Sequence, residues 1–583
     1  MFKKTDTDHQ LDLFSSPEML LGKRALKTYT DSKAWHNVFF EHVTSKIDED
    51  VFSVIYKEGN MGAPTASVRI LVAISILKEG FGCSDENMFE KVEFDLLVRK
   101  ALGLVNVNDI PPSLDTYYLF NRRLCEYNEK TGVDLMEKCF EGVTGTQIKR
   151  FNISGKSVRM DSKLIGSNIA RYSRYEIILR TFQKAMALEA NLAALTPALR
   201  KRVAPFLEEK GSHTVYTSDA SSLSERIASL GDVVYAVLKR LKEDACGYAL
   251  LHRVFHEQYK VESGRAVLRD KKEVKSDSMQ NPNDPDAEFR NKGDQKVQGY
   301  SVNLTETVEE GKPSLVTSVQ VEGATAADCH YVEDAVKKTE KVTGATVENL
   351  YADGAYQSPH NREFSKNHTN SEGKAMKIKT GRMQGGARFI LKPLTSDHKT
   401  NLEVIDTKTG IVYTAIFINE TQRRGRRWRI KIGEGDWRNK PFRYFEERDL
   451  TASLLRQEIE SLPEEEQHLR NNVEAAMFQY SFHTRNNKTR YRGLFKHRLQ
   501  AVRRGMWMNL RRIAIHISKM DPNEYDRCGN SLHIFILRLY KRYFSQFFQI
   551  LNLYSVGRKL KNFILKSRTF DCCYKFNLKT ATF

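Results

Sequence analysis

The stretch Ser157-Val158-Arg159-Met160-Asp161-Ser162-Lys163-Leu164-Ile165 constrains the fold more than any other part of this chain. Its residues alternate with a period of two, as in a strand whose successive side chains face opposite ways. Val158, Met160, Ser162 and Leu164 therefore share one face, and Arg159, Asp161, Lys163 and Ile165 share the other. A carboxylate at the centre of such a strand is costly unless a cation or a metal ion partners it. Asp161 is thus the first residue that asks for a chemical explanation rather than a packing one.

At 583 residues the chain exceeds what one core usually organises, so two or more domains are expected. Residues 1–150 read as a helical N-terminal domain with a DNA-binding role. Pro64 stands at a helix start followed by Val68, Leu71, Val72, Ile74, Ile76 and Leu77. A second helix follows Pro111-Pro112-Ser113 and carries Tyr117, Phe120, Arg122, Arg123 and Leu124. It is either a recognition helix or a core helix with a wet side. Residues 151–386 change to short strands, interrupted by a helical insertion at about 172–262 with Ile178, Phe182 and Met186 at helical spacing. A hairpin is expected from Val297–Thr307 and Ser314–Val321, then a helix near 327–343 and a strand ending in a turn at Asp353-Gly354. Residues 387–446 read as a β-rich insertion with strands at Phe389–Leu391, Val412–Phe417 and Trp428–Ile432. Residues 447–515 hold a long helix from about Leu450 past Phe478, broken near Leu462-Pro463, and 516–583 read as a basic helical tail. The fold class is α/β.

Charge narrows the partners. The net charge is +19, and the 22 basic and 4 acidic side chains of residues 481–583 account for all but one unit of it. Such a polycation, interleaved with Tyr, Phe and Trp, suits a phosphate backbone whose condensed counterions it releases. The alternatives are a solvated tail or a helix on an anionic membrane surface. No membrane span is expected, because the most apolar stretch, Leu532–Leu551, is broken by Arg538, Lys541 and Arg542. The N-terminus lacks the apolar core of a signal peptide, and the eight cysteines are scattered except for Cys572 and Cys573. A reducing cytoplasm, in association with the nucleoid, is the expected location.

Two further acids stand in recognisable settings. Asp353 ends a strand before Gly354, and Glu474 lies in the helix Arg470-Asn471-Asn472-Val473-Glu474-Ala475-Ala476-Met477-Phe478. Three converging carboxylates would hold hard Mg²⁺ ions, which bind a few carboxylates together with water and substrate phosphate. The plainer reading is a strand Asp paired with a nearby Lys, a turn Asp, and a helix Glu paired with Arg470. His252 and His256, one helical turn apart, lack an evident third zinc ligand and read as structural. No Gly-rich loop followed by Lys-Ser or Lys-Thr occurs, which argues against ATP-driven action.

Five ordered motifs carry a resemblance: Met160–Asn168 (MDSKLIGSN), Gly299–Asn303 (GYSVN), Tyr351–Tyr356 (YADGAY), Arg470–Ala475 (RNNVEA) and Arg490–Leu494 (RYRGL). Together they resemble the DDE transposases of bacterial insertion sequences, from the N-terminal helical domain to about residue 515. The resemblance implies an RNase H-like core with Asp161 on its first strand, Asp353 after its fourth and Glu474 on a later helix. It implies that these three residues are both the catalytic residues and the ligands of Mg²⁺, for which Mn²⁺ can substitute. The implied partners are double-stranded DNA at transposon ends and target, and a second copy in a homodimeric synaptic complex. The implied reaction cuts at terminal inverted repeats and joins the 3′ ends to target DNA by two-metal phosphoryl transfer. A metal-dependent nuclease without strand transfer, or a domesticated DNA-binding protein, are the rivals. Some relatives surround the Glu with a Tyr-Arg-Glu-Lys signature; Arg470 and Glu474 match it, while Gln467 and Ser481 stand where its Tyr and Lys would be.

The candidate DNA contacts are Arg424, Arg427, Trp428, Arg470, Lys488, Arg490, Arg492 and Lys496. Arg423, Arg424, Arg426, Arg427 and Arg429 form the densest positive cluster, and Trp428 or Trp437 is a candidate ring for an extruded base. Alternation within a strand also allows Trp428 a buried face.

Overall fold

A computed structural model describes residues 16–56, 65–293, 295–380, 388–394, 401–422, 425–432, 441–461 and 471–520, together with Phe2 and Lys4. Pro64, the break at Leu462-Pro463, Arg423, Arg424, Trp437, Arg470 and the tail from residue 521 lie outside the described residues. The chain divides into two units, Met1–His516 and Ile517–Phe583.

Helices fill the stretch before residue 151. Helix α1 (Val68–Phe81) begins at Ser67, whose hydroxyl accepts the Ile70 N–H at 3.2 Å. It is apolar nearly all round and buried from Ile70 to Gly80, as a helix at the centre of a domain must be. A Cβ at Gly80 would fall 2.2 Å from the Trp507 indole, so only glycine admits that ring. Helix α2 (Leu114–Thr131) buries Tyr117, Phe120 and Leu124 and leaves Arg122 exposed. Helix α3 (Leu135–Arg150) leads into the first strand.

The central sheet is mixed. Strand β1 (Ser157–Ser167) lies antiparallel to β3 (Gln295–Thr307), which pairs in turn with β2 (Glu288–Lys292) and β4 (Val316–Gly323). On its other edge β1 runs parallel to β5 (Asn349–Ala352), and β5 parallel to β6 (Lys377–Thr380). Gly166 pairs with Gly299, where a Cβ would fall 2.2 Å from the Ile165 carbonyl. The glycine of the GYSVN motif is therefore a requirement of close strand approach. Val158 and Met160 on one face of β1 pack against Val332, Ala335 and Val336 of α7 (Val332–Thr343).

Between β1 and β2 lies a helical region containing α4 (Arg174–Met186), α5 (Ala220–Leu238) and α6 (Tyr248–Gln258). Ser173 and Glu176 form a capping box at the start of α4, and Ile178, Phe182, Val234 and Phe255 share one core. His252 and His256 touch on α6 with their rings tilted at 53°, 4.2 Å between ring centres.

A second sheet is a five-stranded antiparallel meander: β7 (Phe389–Pro393), β8 (Leu402–Asp406), β9 (Val412–Thr421), β10 (Gly425–Lys431) and β11 (Phe442–Glu446). Helix α8 (Glu447–Glu460) covers one face, where Ser453 bonds both backbone groups of Leu391. Helix α9 (Asn471–Ser481), the two-residue strand β12 (Lys488–Thr489) and α10 (Leu494–Lys519) then return to the central sheet, β12 pairing with the end of β1. Among the described residues, no helix is long and apolar enough to cross a membrane.

Candidate functional site

The Arg159 face of β1 looks toward α9 and α10. Arg159 is buried against Glu306, and Arg512 of α10 lies 2.5 Å from the other oxygen of the same fully buried carboxylate. Asp161 comes next on that face, half-buried, with its Oδ1 accepting the Ser162 N–H at 2.8 Å. Beyond it, the Lys163 ammonium donates to Ser481 Oγ at 2.7 Å and so ties β1 to the end of α9. Burial pushes the Lys163 pKa down, with Asp161 opposing that shift.

The opposite face holds the acids' strands in place through a polar network. Ser162 Oγ donates to Asp328 at 2.7 Å, Tyr356 donates to Asn303 Oδ1 at 2.7 Å, and Asn303 Nδ2 donates to Gln320 at 2.8 Å. Burial raises the Tyr356 pKa, and the charges of Asp161 and Asp328 raise it further, so the phenol is a neutral donor. Motif residues Ser162, Asn303 and Tyr356 thus brace the backbone beside Asp161 and Asp353.

The register of the parallel pair sets these acids together. Ser157, Val158 and Arg159 pair with Asn349, Leu350 and Tyr351, and the same offset carried two residues on places Asp161 level with Asp353. Neighbouring strands lie about 4.8 Å apart, so Asp161, in the middle of β1, and Asp353, just past the end of β5, stand on adjoining strands. Asp353 is exposed and accepts the Gly354 N–H, capping one turn of 3₁₀ helix, Gly354–Tyr356. Glu474 is exposed in the first turn of α9, a helix that packs on β1. The expected convergence of all three acids is not seen: among the described residues no group of three His, Cys, Asp or Glu side chains forms a metal-sized cluster. Glu474 stands seven residues before the Lys163–Ser481 tie, at the far end of its helix. Two carboxylates on adjoining strands are a donor set of the kind Mg²⁺ takes, since it commonly binds one or two protein carboxylates and leaves its other positions to water and phosphate.

The remaining candidates are spread over several elements. Lys488, Arg492 and Lys496 are exposed on β12, the following turn and α10. Arg490, also exposed, donates to the carbonyls of Cys83 at 2.7 Å and Gly82 at 3.0 Å, so it caps the end of α1. In the same RYRGL motif, Tyr491 bonds Glu79 and receives the Lys78 ammonium at 3.0 Å. Gly493, at φ +91°, gives its N–H to Asp284 at 2.9 Å, and Leu494 gives its N–H to Asp286 at 2.9 Å. Tyr300 of the GYSVN motif bonds the same Asp284. Much of both motifs is therefore a joint between sheet and α10. Sequence reasoning missed Lys163 as a partner of Ser481, because no local pattern links residues 318 positions apart.

Trp428 requires a correction. It is wholly buried in the meander core with Leu402, Val404, Ala415, Phe445 and Leu450, so its indole is not presented to a base. Arg427 and Arg429 face the other way, over the rings of Tyr444 and Phe442 at 4.3 and 4.6 Å. No family model, no curated protein and no solved structure matches this chain.

Proposed function

We propose that this chain is a DNA transposase of the DDE type, built on an RNase H-like core and acting on double-stranded transposon ends and target DNA. The observation that carries the reading is the parallel register of β1 and β5, which brings Asp353, just past the end of β5, level with Asp161 in the middle of β1. Strand order supports it. Within the central sheet, with the short β2 set aside, β1, β3, β4 and β5 are the first four strands, so Asp161 lies on the first and Asp353 follows the fourth. The exposed cations Lys488, Arg490, Arg492 and Lys496 supply the positive surface that a DNA backbone needs.

Asp161 and Asp353 would hold Mg²⁺, which when bound supplies positive charge to the oxygens of the reacting phosphate. The protein's own part is to fix that pair of carboxylates through the Ser162, Asn303 and Tyr356 network, to present Glu474 from α9, and to hold the DNA backbone on its cations. The test uses the full chain, Mg²⁺ and the DNA flanking its coding region as substrate, with cleaved and joined products resolved on a gel. Asp161→Asn and Asp353→Asn should each lower cleavage by more than about 100-fold, the scale on which one preorganised electrostatic group acts. End binding should persist, because phosphate contacts lie elsewhere. Cleavage by Asp161→Asn at the native rate would overturn the reading.

A further inference from the structure

Helix α9 is held firmly at its C-terminal end. Tyr480 is buried, Arg504 donates to the Gln479 carbonyl at 3.2 Å, and Lys163 holds Ser481. His483 sits so close to Gly82 that a Cβ there would fall 2.6 Å from its ring. Yet two large apolar side chains of this anchored segment stay outside the core. Phe478 is 64% exposed and Phe482 60%, and their rings meet edge to face, 6.0 Å between centres. With Glu474 they form a series of i, i+4 and i+8, neighbours along one side of the helix and its first residue beyond.

Their surroundings are cationic. From Asn471 to Arg498 the chain carries six Lys and Arg residues and a single acid, Glu474. Arg485 and Lys488 are exposed and make no ion pair with any described residue. They flank Asn486 and Asn487, both in the left-handed region at φ +53° and +55°, and Asn487 is pinned by its Nδ2 bond to the Leu164 carbonyl at 2.8 Å. The turn therefore fixes the backbone that carries both cations, close in the chain to the two rings. A second copy of the chain is a poor occupant, since a self-complementary contact would bring two such cationic patches together. A nucleic-acid strand matches both features, because its bases offer aromatic faces and its phosphates offer negative charge at regular intervals.

We infer that Phe478 and Phe482 form a stacking platform for unpaired bases of a DNA strand, with Arg485 and Lys488 on the strand's phosphates. The origin of that strand, at the cut end beside Glu474, rests on the proposed function; the binding itself does not. The experiment uses the full chain in EDTA with a single-stranded oligonucleotide carrying 2-aminopurine, so that no cleavage is needed. Stacking should quench the 2-aminopurine fluorescence. Phe478→Leu and Phe482→Leu keep apolar bulk but remove the ring, and each should weaken single-strand binding by about 5- to 100-fold and abolish the quench. Duplex affinity and melting temperature should not move. Arg485→Gln should retain the quench while lowering the slope of log affinity against log salt by about 0.7. Leucine variants that bind and quench like the native chain would overturn the inference. So would a lowered melting temperature, which would assign the rings to the fold, or lost self-association in sedimentation with single-strand binding intact, which would assign them to a protein contact. Because the assay contains no metal, its failure leaves the Asp161→Asn cleavage result untouched, and inactivity of the native enzyme leaves the platform untouched.

Discussion

Strand β1 of the central sheet and strand β10 of the meander both alternate apolar and charged residues, but among the described residues only β1 has helices on both faces. Arg159 is consequently buried, and the structure surrounds Glu306 with Arg159 and Arg512. In β10, α8 covers the side that holds Trp428 and Ile430, and Arg427 and Arg429 lie on the other side, which no described helix covers, against aromatic rings. The same pattern of residues thus gives an internal ion network in one sheet and an outward cationic face in the other. What decides between them is the number of covering layers, a property of the fold rather than of the strand.

The sharpest way to break this contrast is to remove the buried member from each sheet. Glu306→Ala leaves two arginines without their shared carboxylate in the interior, at a cost of about 3–5 kcal/mol. Trp428→Ala removes a fully buried indole from the meander core and should cost a similar amount, about 3–5 kcal/mol. Denaturant unfolding monitored by circular dichroism measures both as shifts in midpoint. A near-neutral Trp428→Ala would show that the covered side of β10 is not a core at all.

A second difference concerns pH. His497 of α10 is fully buried, stacks on Tyr300 with ring centres 5.0 Å apart, and has its pKa pushed down to about 4 by burial, with a bond to Gln500 opposing the shift. The folded state keeps the ring neutral, whereas the unfolded chain takes up a proton near pH 6.5. Its contribution is therefore complete above that pH and is lost as the pH falls toward about 4, by up to about 3 kcal/mol. His42 of the helical domain, also pushed to about 4 by burial, adds a slope of the same sign. His497→Gln should remove its share of the acid sensitivity between pH 6.5 and 4, read from unfolding midpoints across that range. The described residues of the meander contain no histidine, so the cost of Trp428→Ala should hardly change over the same window.

These contrasts also mark what the sequence could and could not disclose. Alternation made the strand at Ser157–Ile165 legible, and the structure extends it to Ser167. The hairpin partners at Val297–Thr307 and Ser314–Val321 lie close to the observed β3 and β4. Strands β2, β6, β8 and β11 left no comparable signal, because four or five residues held by their neighbours need little periodicity of their own. Asp161 stood out as a carboxylate at odds with its strand and Asp353 as a turn residue within the motif Tyr351–Tyr356, whereas the tie from Lys163 to Ser481 is purely tertiary. Trp428 misled for a physical reason. Arginines on either side of a strand residue say only that the opposite face is polar, and nothing in the local sequence tells which face a later helix will cover.

The smallest expected effect tests the uncovered face of β10. Arg429 is exposed, pairs in register with Tyr444 and Ile416, and lies over the Phe442 ring without an ion pair among the described residues. Surface substitutions away from caps, cores and networks usually change stability by no more than about 0.5 kcal/mol, so Arg429→Ala should leave the melting curve almost unmoved. If this face meets a DNA backbone, the substitution removes one phosphate contact. The slope of log affinity against log salt for duplex should then fall by about 0.9, and binding should weaken alike for all sequences, since a phosphate contact carries no base information. Fluorescence anisotropy over a salt series measures both quantities. A melting temperature lowered by several degrees would place Arg429 in the fold, as the buried Arg159 is in the central sheet. An unchanged slope with native stability would show that the meander's arginines face solvent alone, and the DNA-binding surface would then be confined to the cations that follow α9.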